Sequence, residues 1–599
     1  MNGGRLLLSS GLALSLLGAQ AQFPPKREGI TVVQSKFHEN VSISFKEPGI
    51  CETTPGVKSY SGYVHLPPHF LGYEDQDYPI NTFFWFFEAR KDPANAPLAI
   101  WLNGGPGGSS MMGLLEENGP CFVTADSQST YLNPWSWNNE PVQTGFSYDV
   151  LTSVTIRWGT ADLDEPIITP TNFTDSQIPD TNNTFLIGTT GSQKGSQTAN
   201  STEQAAHALW HFLQIWLFEF PHYTAGDGRI SLWTESYGGH YGPRFFRFFQ
   251  QQNEQIRNGS LEGPGALYLQ LDTLGVVDGA IDWGTAIEAC LEFPYNNTYS
   301  NAQFYNESLH HAIMHNWTQP NGLRDRLATC VSSLNSSSHS PDSNDTLCTT
   351  VFEETITACL NLFTTLTSRS PYDISQPVQN PTSLAALGVP VNYTPLSYAA
   401  NHAFNATFDP LRTGQLEALA FLLDHDEGGV RVHLMYGDRD LITNWPGGER
   451  TALKVPYSRQ RKFAEQAGYA PLMVEGEAAG LTRQLGGFSF TRVFQAGHEA
   501  PAYQPAVAYE IFWRAMFGWD VATGKVKVTD EYRTEGPRDA WGVRGKLPEM
   551  PKARCYVLRP DTCEGEVWKA VVNGTVVVKD WFVVERDEAL VGGVGGDEL

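Results

Sequence analysis

At 599 residues and 41% hydrophobic content the chain can bury a large core, and nothing in its composition fits wholesale disorder. Its 65 acidic and 40 basic residues leave a formal net charge of −25 at pH 7, which repels phosphate backbones and excludes nucleic acid as a partner. That surplus of carboxylates also favours an acidic working environment, where protonation relieves their mutual repulsion.

Residues 1–21 read as a signal peptide: Arg5 precedes an apolar run from Leu6 to Leu17, and Ala19-Gln20-Ala21 offers a small-residue cleavage site. A secreted protein is expected, with the vacuole or retention in the ER as alternatives. Gly596-Asp597-Glu598-Leu599 matches an ER-retrieval signal only in part. No later stretch reaches the roughly 20 apolar residues that span a bilayer, so no membrane anchor is expected. Asn40, Asn172, Asn182, Asn200, Asn258, Asn296, Asn306, Asn316, Asn335, Asn344, Asn392, Asn405 and Asn573 each begin an N-x-[ST] triplet, a row dense enough to predict a glycan-coated exterior.

Two apolar runs, Thr82 to Phe87 and Pro97 to Leu102, read as strands buried in a sheet, separated by the polar turn Lys91-Asp92-Pro93-Ala94-Asn95. A helix is predicted from Thr202 to Phe218, with Leu209, Phe212, Leu213 and Trp216 on one face, Thr202 as its cap and Pro221 past its end. A strand at Arg229 to Thr234, a sharp turn at Ser236, a helix through Phe249 and a strand at Leu271 to Val277 follow. This alternation predicts an α/β fold with a mixed, mainly parallel sheet.

From Trp283 to His425 the chain is rich in Asn, Ser, Thr and Cys and has no strand rhythm, which reads as an inserted helical cap. Strands resume at Val430 to Met435 and Phe488 to Phe494, a helix runs from Pro505 to Phe517, and the tail beyond Trp519 is expected to be rich in strands. The organisation predicted is a signal peptide at 1–21, a core at 22–282 and 426–518, a cap at 283–425 and an extension at 519–599. Eight cysteines in an exported chain imply disulfides. Cys51 with Cys121 is one candidate pair and Cys555 with Cys563, closing a short hairpin, another; the pairing of Cys290, Cys330, Cys348 and Cys359 stays open. Their spacing does not suit structural zinc, so neither metal nor cofactor is expected.

Nucleophilic catalysis needs a serine held out on a tight turn, a histidine to take its proton and an acid to orient that histidine. Trp233-Thr234-Glu235-Ser236-Tyr237-Gly238-Gly239 follows a strand and precedes a helix, as a nucleophile elbow does, although Thr234 stands where G-x-S-x-G has its first glycine. Asp440 in Gly437-Asp438-Arg439-Asp440 and His498 in Ala496-Gly497-His498-Glu499 each follow a predicted strand. The chain order Ser, Asp, His is that of the α/β-hydrolase fold, with all three at strand C-termini. A metallopeptidase is excluded by the lack of H-E-x-x-H and of any histidine followed three residues later by glutamate.

With these segments and Trp101-Leu102-Asn103-Gly104-Gly105-Pro106-Gly107-Gly108-Ser109-Ser110, the chain resembles the serine carboxypeptidase family (peptidase family S10), more closely its fungal carboxypeptidase S1-like branch, from about Phe37 to beyond Asp580. The resemblance implies Ser236, Asp440 and His498 as the triad, and the backbone N–H groups of Gly105 and Tyr237 as the oxyanion hole. It implies Asn103, Gly104, Glu117 and Glu235 as the site for the substrate's terminal carboxylate. Peptide and protein C-termini are then the partners, cleaved at acidic pH. Transfer of the acyl group to an amine or alcohol, or a noncatalytic secreted relative, are the alternatives.

Three departures from the family's pattern carry expectations. Gly108 stands where many relatives have a cysteine, which removes a disulfide from that loop. Glu499 stands where some relatives have methionine, so it sits near the released residue and favours Lys or Arg there, a hydrogen bond to the site's own framework being the alternative. Asn138-Asn139-Glu140 runs straight into Pro141-Val142-Gln143, where relatives carry a further strand; the gap is either a gene-model splice error or a true deletion, and a true deletion would compromise the sheet beside the glycine loop.

Overall fold

The computed structural model describes residues 23–584 apart from 25–26, 73–75, 125–128, 138–144, 158–165, 174–177, 183, 225, 227, 262–265, 337–345, 368–369, 371, 373–386, 388, 426–428, 549–554, 556, 558–562 and 580–581. The signal peptide, the sequon at Asn344, the junction of Glu140 with Pro141 and the C-terminal tetrapeptide lie outside the described residues.

Strands β1 (Thr31–Gln34), β2 (Ser42–Lys46), β3 (Ser59–Leu66) and β4 (Ile80–Phe87) form an antiparallel sheet in the order β1-β2-β3-β4. The central sheet is built from β5 (Leu98–Leu102), β6 (Arg229–Glu235), β7 (Gln270–Val277), β8 (Arg431–Gly437), β9 (Ala470–Val474), β10 (Glu477–Leu485) and β11 (Phe488–Val493). Its order is β9-β10-β11-β8-β7-β6-β5, parallel from β5 through β6, β7 and β8 to β11 and antiparallel beyond. Every residue of β5 and β11 is buried, as expected of strands covered on both faces. The two apolar runs before Gly104 are thus both strands, but in different sheets, and β5 is an edge strand beside the glycine loop.

Helices cover the sheets. Helix α1 (Thr202–Glu219) presents Leu209, Phe212, Leu213 and Trp216 to a core that takes in both sheets, including Phe84, Ile100 and Leu102. Its cap is Ser201, whose side chain accepts from Gln204 N–H, while the hydroxyl and N–H of Thr202 are drawn off to the buried Asp409. Helix α2 (Gly238–Asn258) packs on α1 and runs past Phe249 to a left-handed Gly259. On the opposite face, α6 (Pro505–Met516) buries Val507, Ile511 and Phe512 against Trp101, Trp233 and Trp137.

The described elements between Trp283 and Leu423 are all helical. They include α3 (Trp283–Glu292), packed on α5 (Trp445–Lys454), and α4 (Gln415–Leu423), packed on α2. Four disulfides close the fold: Cys51–Cys121, Cys555–Cys563, and within the helical insertion Cys290–Cys359 and Cys330–Cys348. The tail differs from the expected strand-rich extension. Its described residues hold one helix, Gly565–Val572, and two three-residue strands, because the segment from Trp519 to Leu547 is an irregular strap tied to the sheet by single bridges such as Leu485 with Arg533.

Candidate active site

The turn after β6 is sharp enough to hold Ser236 in the left-handed region, φ 58°, with its N–H donating to Val277 O at 3.0 Å and its carbonyl accepting from Gly239 and Ala280. Strained backbone of this kind persists only where the surroundings enforce it. Here α2 starts immediately, and Thr234 is accommodated at the motif's glycine position because Gly238 has no side chain. A Cβ on Gly238 would lie 2.4 Å from Thr234 Cβ. The Thr234 hydroxyl donates to Gly238 O at 2.9 Å and fixes the turn.

The glycine loop lies directly against this elbow. A Cβ on Gly104 would come within 2.4 Å of Tyr237 N and 2.7 Å of Ser236 Cβ, so only glycine permits the approach. Neither the Gly105 nor the Tyr237 N–H donates a hydrogen bond to a described residue. Gly108, where a cysteine was noted to be missing, is held instead by backbone bonds. Ser397 N–H donates to Gly107 O, Ser109 N–H donates to Pro395 O, and Gly108 bridges Leu396.

Loops after β8 and β11 bring an acid and a histidine together. His498 Nδ1 lies 2.6 Å from Asp440 Oδ2, and the Thr443 hydroxyl donates to the same oxygen at 2.6 Å. Asp440 Oδ1 accepts from Ile442 N–H at 2.9 Å, so the carboxylate is fixed from two sides. Asp438 is instead tied to the buried Arg492 at 3.2 Å and to the Tyr299 hydroxyl. Burial lowers the pKa of His498, yet the charge of Asp440, followed by Glu499 and Glu117, raises it by more. The hydroxyl of Ser236 makes no hydrogen bond to His498, whose Nδ1 is turned to Asp440.

Beside Ser236 a second cluster forms. The Asn103 amide nitrogen donates to Glu117 Oε1 at 3.0 Å and Glu235 Oε1 at 3.1 Å, while its oxygen accepts from Trp101 Nε1 and Gly113 N–H. The two glutamates are in hydrogen-bond contact, and the second oxygen of each is buried with no N–H or hydroxyl donor. Two adjacent buried carboxyls cannot both ionise cheaply. Burial pushes Glu117 up to about 7, and burial with the charge of Glu117 pushes Glu235 well above the carboxylate range.

Glu499 precedes the short helix Ala500–Tyr503 without a side-chain capping bond, and its charge acts on Glu116, Glu117, Glu235 and His498. Every residue singled out from sequence therefore lies around one turn of chain at the C-terminal ends of β5, β6, β8 and β11. Sequence reasoning missed Glu116, Asp278, Thr443 and Tyr372, whose carbonyl accepts from His498 N–H and whose ring lies 5.1 Å from the imidazole. Only Thr443 had a local signal, since an Asp followed three residues later by Thr is a common self-bonding turn. Among the described residues no cluster of His, Cys, Asp and Glu suits a metal ion, and no helix is long and apolar enough to cross a membrane.

The chain is similar to known proteins. The serine carboxypeptidase family matches residues 48–518. A carboxypeptidase S1 homolog A from Arthroderma otae is 43% identical over 96% of this chain and 92% of its own length. A carboxypeptidase Y homolog from Arthroderma benhamiae is 37% identical over 95% and 93%. The crystal structure of a prohormone-processing carboxypeptidase from Saccharomyces cerevisiae shares the fold with a TM-score of 0.52 at 20% identity, over 76% of this chain and 91% of that one.

Proposed function

The chain belongs to the serine carboxypeptidase family, and from that premise we propose that it removes C-terminal residues from peptides in acid, with Ser236, Asp440 and His498 as the triad. Ser236 Oγ attacks the last peptide carbonyl as His498 takes its proton. The N–H groups of Gly105 and Tyr237 receive the oxyanion, His498 returns the proton to the leaving amino acid, and water then hydrolyses the acyl-enzyme. Asp440 orients His498 throughout.

The observation that carries this reading is the Asn103 amide held between Glu117 and Glu235 next to Ser236. A glutamate kept neutral by burial donates a hydrogen bond to a substrate carboxylate, as does the Gly104 N–H, and a neutral peptide amide loses that charge-assisted contact. The acidic preference has the same origin. Protonating Glu117 also removes a charge that helps hold His498 protonated, so more of the imidazole stays neutral and able to take the serine proton where the binding site is competent.

Glu499 favours a cationic released side chain. Secretion rests on the 1–21 leader and on the sequons, whose asparagines at positions 40, 172, 182, 258, 296, 306, 316, 335 and 573 are exposed, those at 200, 392 and 405 being half-buried. The test uses a blocked dipeptide as free acid and as amide. The free acid is expected to be cleaved at least about tenfold faster, and Ser236→Ala to lose at least about a thousandfold in kcat. Equal rates on acid and amide, or an active Ser236→Ala variant, overturn the reading.

A further inference from the structure

The loop after β7 sets one more acid against Asp440. Asp278 is fully buried and held in the left-handed region, φ 43°. Its N–H donates to Met435 O at 2.7 Å, and its Oδ1 accepts from Gly437 N–H at 2.8 Å, so it spans the strand that leads to Asp440. Its Oδ2 is buried and receives no N–H or hydroxyl, yet the carboxyl is in hydrogen-bond contact with that of Asp440.

Two buried carboxyls in contact share a proton, which resides on the one with fewer donors. Asp440 accepts from Ile442 N–H, Thr443 N–H and the Thr443 hydroxyl and faces His498 Nδ1; among the described residues the one N–H donor to the Asp278 carboxyl is that of Gly437. We propose that Asp278 is a neutral carboxylic acid whose O–H donates to Asp440, making it a positioning residue that holds the Asp440 carboxylate and limits how strongly that carboxylate retains a proton on His498. This assignment rests on the triad reading above.

The groups facing Asp278 agree with a neutral acid. They are Asp440 on the loop after β8, Glu117 on the turn after the glycine loop, Glu235 at the end of β6 and Tyr436 on β8, whose hydroxyl donates to Gly279 O. Burial and the charge of Asp440 both push Asp278 well above the carboxylate range. A purely structural Asp278 would hold Met435 and Gly437 without affecting His498.

The measurement is the pH profile of inactivation by a fluorophosphonate, which needs the serine and its base but no terminal carboxylate. Labelling of Ser236 in the wild-type enzyme checks the triad by itself, and its failure overturns both readings. Asp278→Asn keeps an acceptor for Gly437 N–H and a donor for Asp440, so the midpoint is expected within about 0.2 pH units of wild type. Asp278→Ala removes the donor, lets the Asp440 carboxylate hold the His498 proton more tightly and is expected to raise the midpoint by about half to one pH unit. If the alanine variant does not fold, Asp278→Ser, too short to reach Asp440, replaces it with the same expected shift. A lowered midpoint in Asp278→Asn means that Asp278 was ionised, and an unmoved midpoint in the variants without a donor means that it does not act on the base. Either result, with Ser236 still labelled, overturns the proposal on Asp278 alone.

Discussion

Glu499 follows His498 directly and shares its neighbourhood with Glu116, Glu117 and Glu235. Burial, joined by the charge of Glu499, raises those three carboxyls, and a substrate cation beside Glu499 offsets that charge. A partly solvated ion pair is worth roughly a fivefold to tenfold preference in kcat/KM. C-terminal Arg and Lys are therefore expected to be released faster than Leu, and Glu499→Met to reverse the order. The preference should fade as falling pH protonates the glutamate. Equal effects of Glu499→Met on both substrates would assign the side chain to the framework. Glu117 has its own signature. Its carboxyl, raised to about 7, donates to the substrate while neutral, so KM for a free-acid dipeptide is expected to climb as pH passes about 7. Glu117→Gln keeps a neutral donor and should flatten that climb; a KM that rises identically in the variant would shift the role to Glu235.

At the scale of elements, the turn from β6 to α2 depends on one reciprocal pair. Gly238→Ala drives a Cβ to 2.4 Å from Thr234 Cβ, an overpacking expected to cost about 1–3 kcal/mol and to disturb Ser236. Thr234→Gly in the same chain removes the Cβ it meets, so the double variant should recover thermal stability and activity relative to Gly238→Ala. Additive losses would show that the two side chains do not compete. The elbow was legible from sequence despite its missing first glycine because the strand, turn and helix signals were intact, and Gly238, the motif's second glycine, leaves room for the Thr234 side chain. Strands that read clearly were those buried on both faces, such as β5, β8 and β11. The β9–β10 hairpin was missed because its turn, Glu475-Gly476, lacks the usual Asn or Asp, although both residues have positive φ. Asp278 and Glu116 were illegible for another reason: their surroundings come from segments more than 100 residues apart, and neither sits in a local pattern. The cap at Ser201 was misread as Thr202 because the acid that captures Thr202, Asp409, lies in a distant part of the chain.

For the whole molecule, β4 and β5 lie in two sheets, and the α1 core that takes in residues of both holds them together. What those sheets enclose is unusually acidic. Glu116, Glu117, Glu235 and Asp278 are all raised chiefly by burial, so each is neutral in the fold at pH values where the unfolded chain has already ionised it. A raised folded pKa contributes stability that is fully present below the unfolded value and is lost as pH rises through the folded one. For Glu117 the window runs from about 4.5 to about 7, a loss on the order of 3 kcal/mol, and the other three extend the decline above it. Glu52 and Asp520 are lowered through their hydrogen bonds, burial opposing, and act oppositely, losing their contribution as pH falls through their folded values below 4 to 4.5. The melting temperature is therefore expected to peak near pH 4 to 5 and to fall by several degrees by pH 8, the charge of −25 adding to the decline. Calorimetry of wild type and Glu117→Gln across this range checks the account, because the variant lacks one titrating group and should lose less stability between pH 4.5 and 7. A melting temperature that climbs steadily to pH 8, or identical slopes in the two proteins, would mean that the buried glutamates are ionised in the fold and that the binding site works through charge already present.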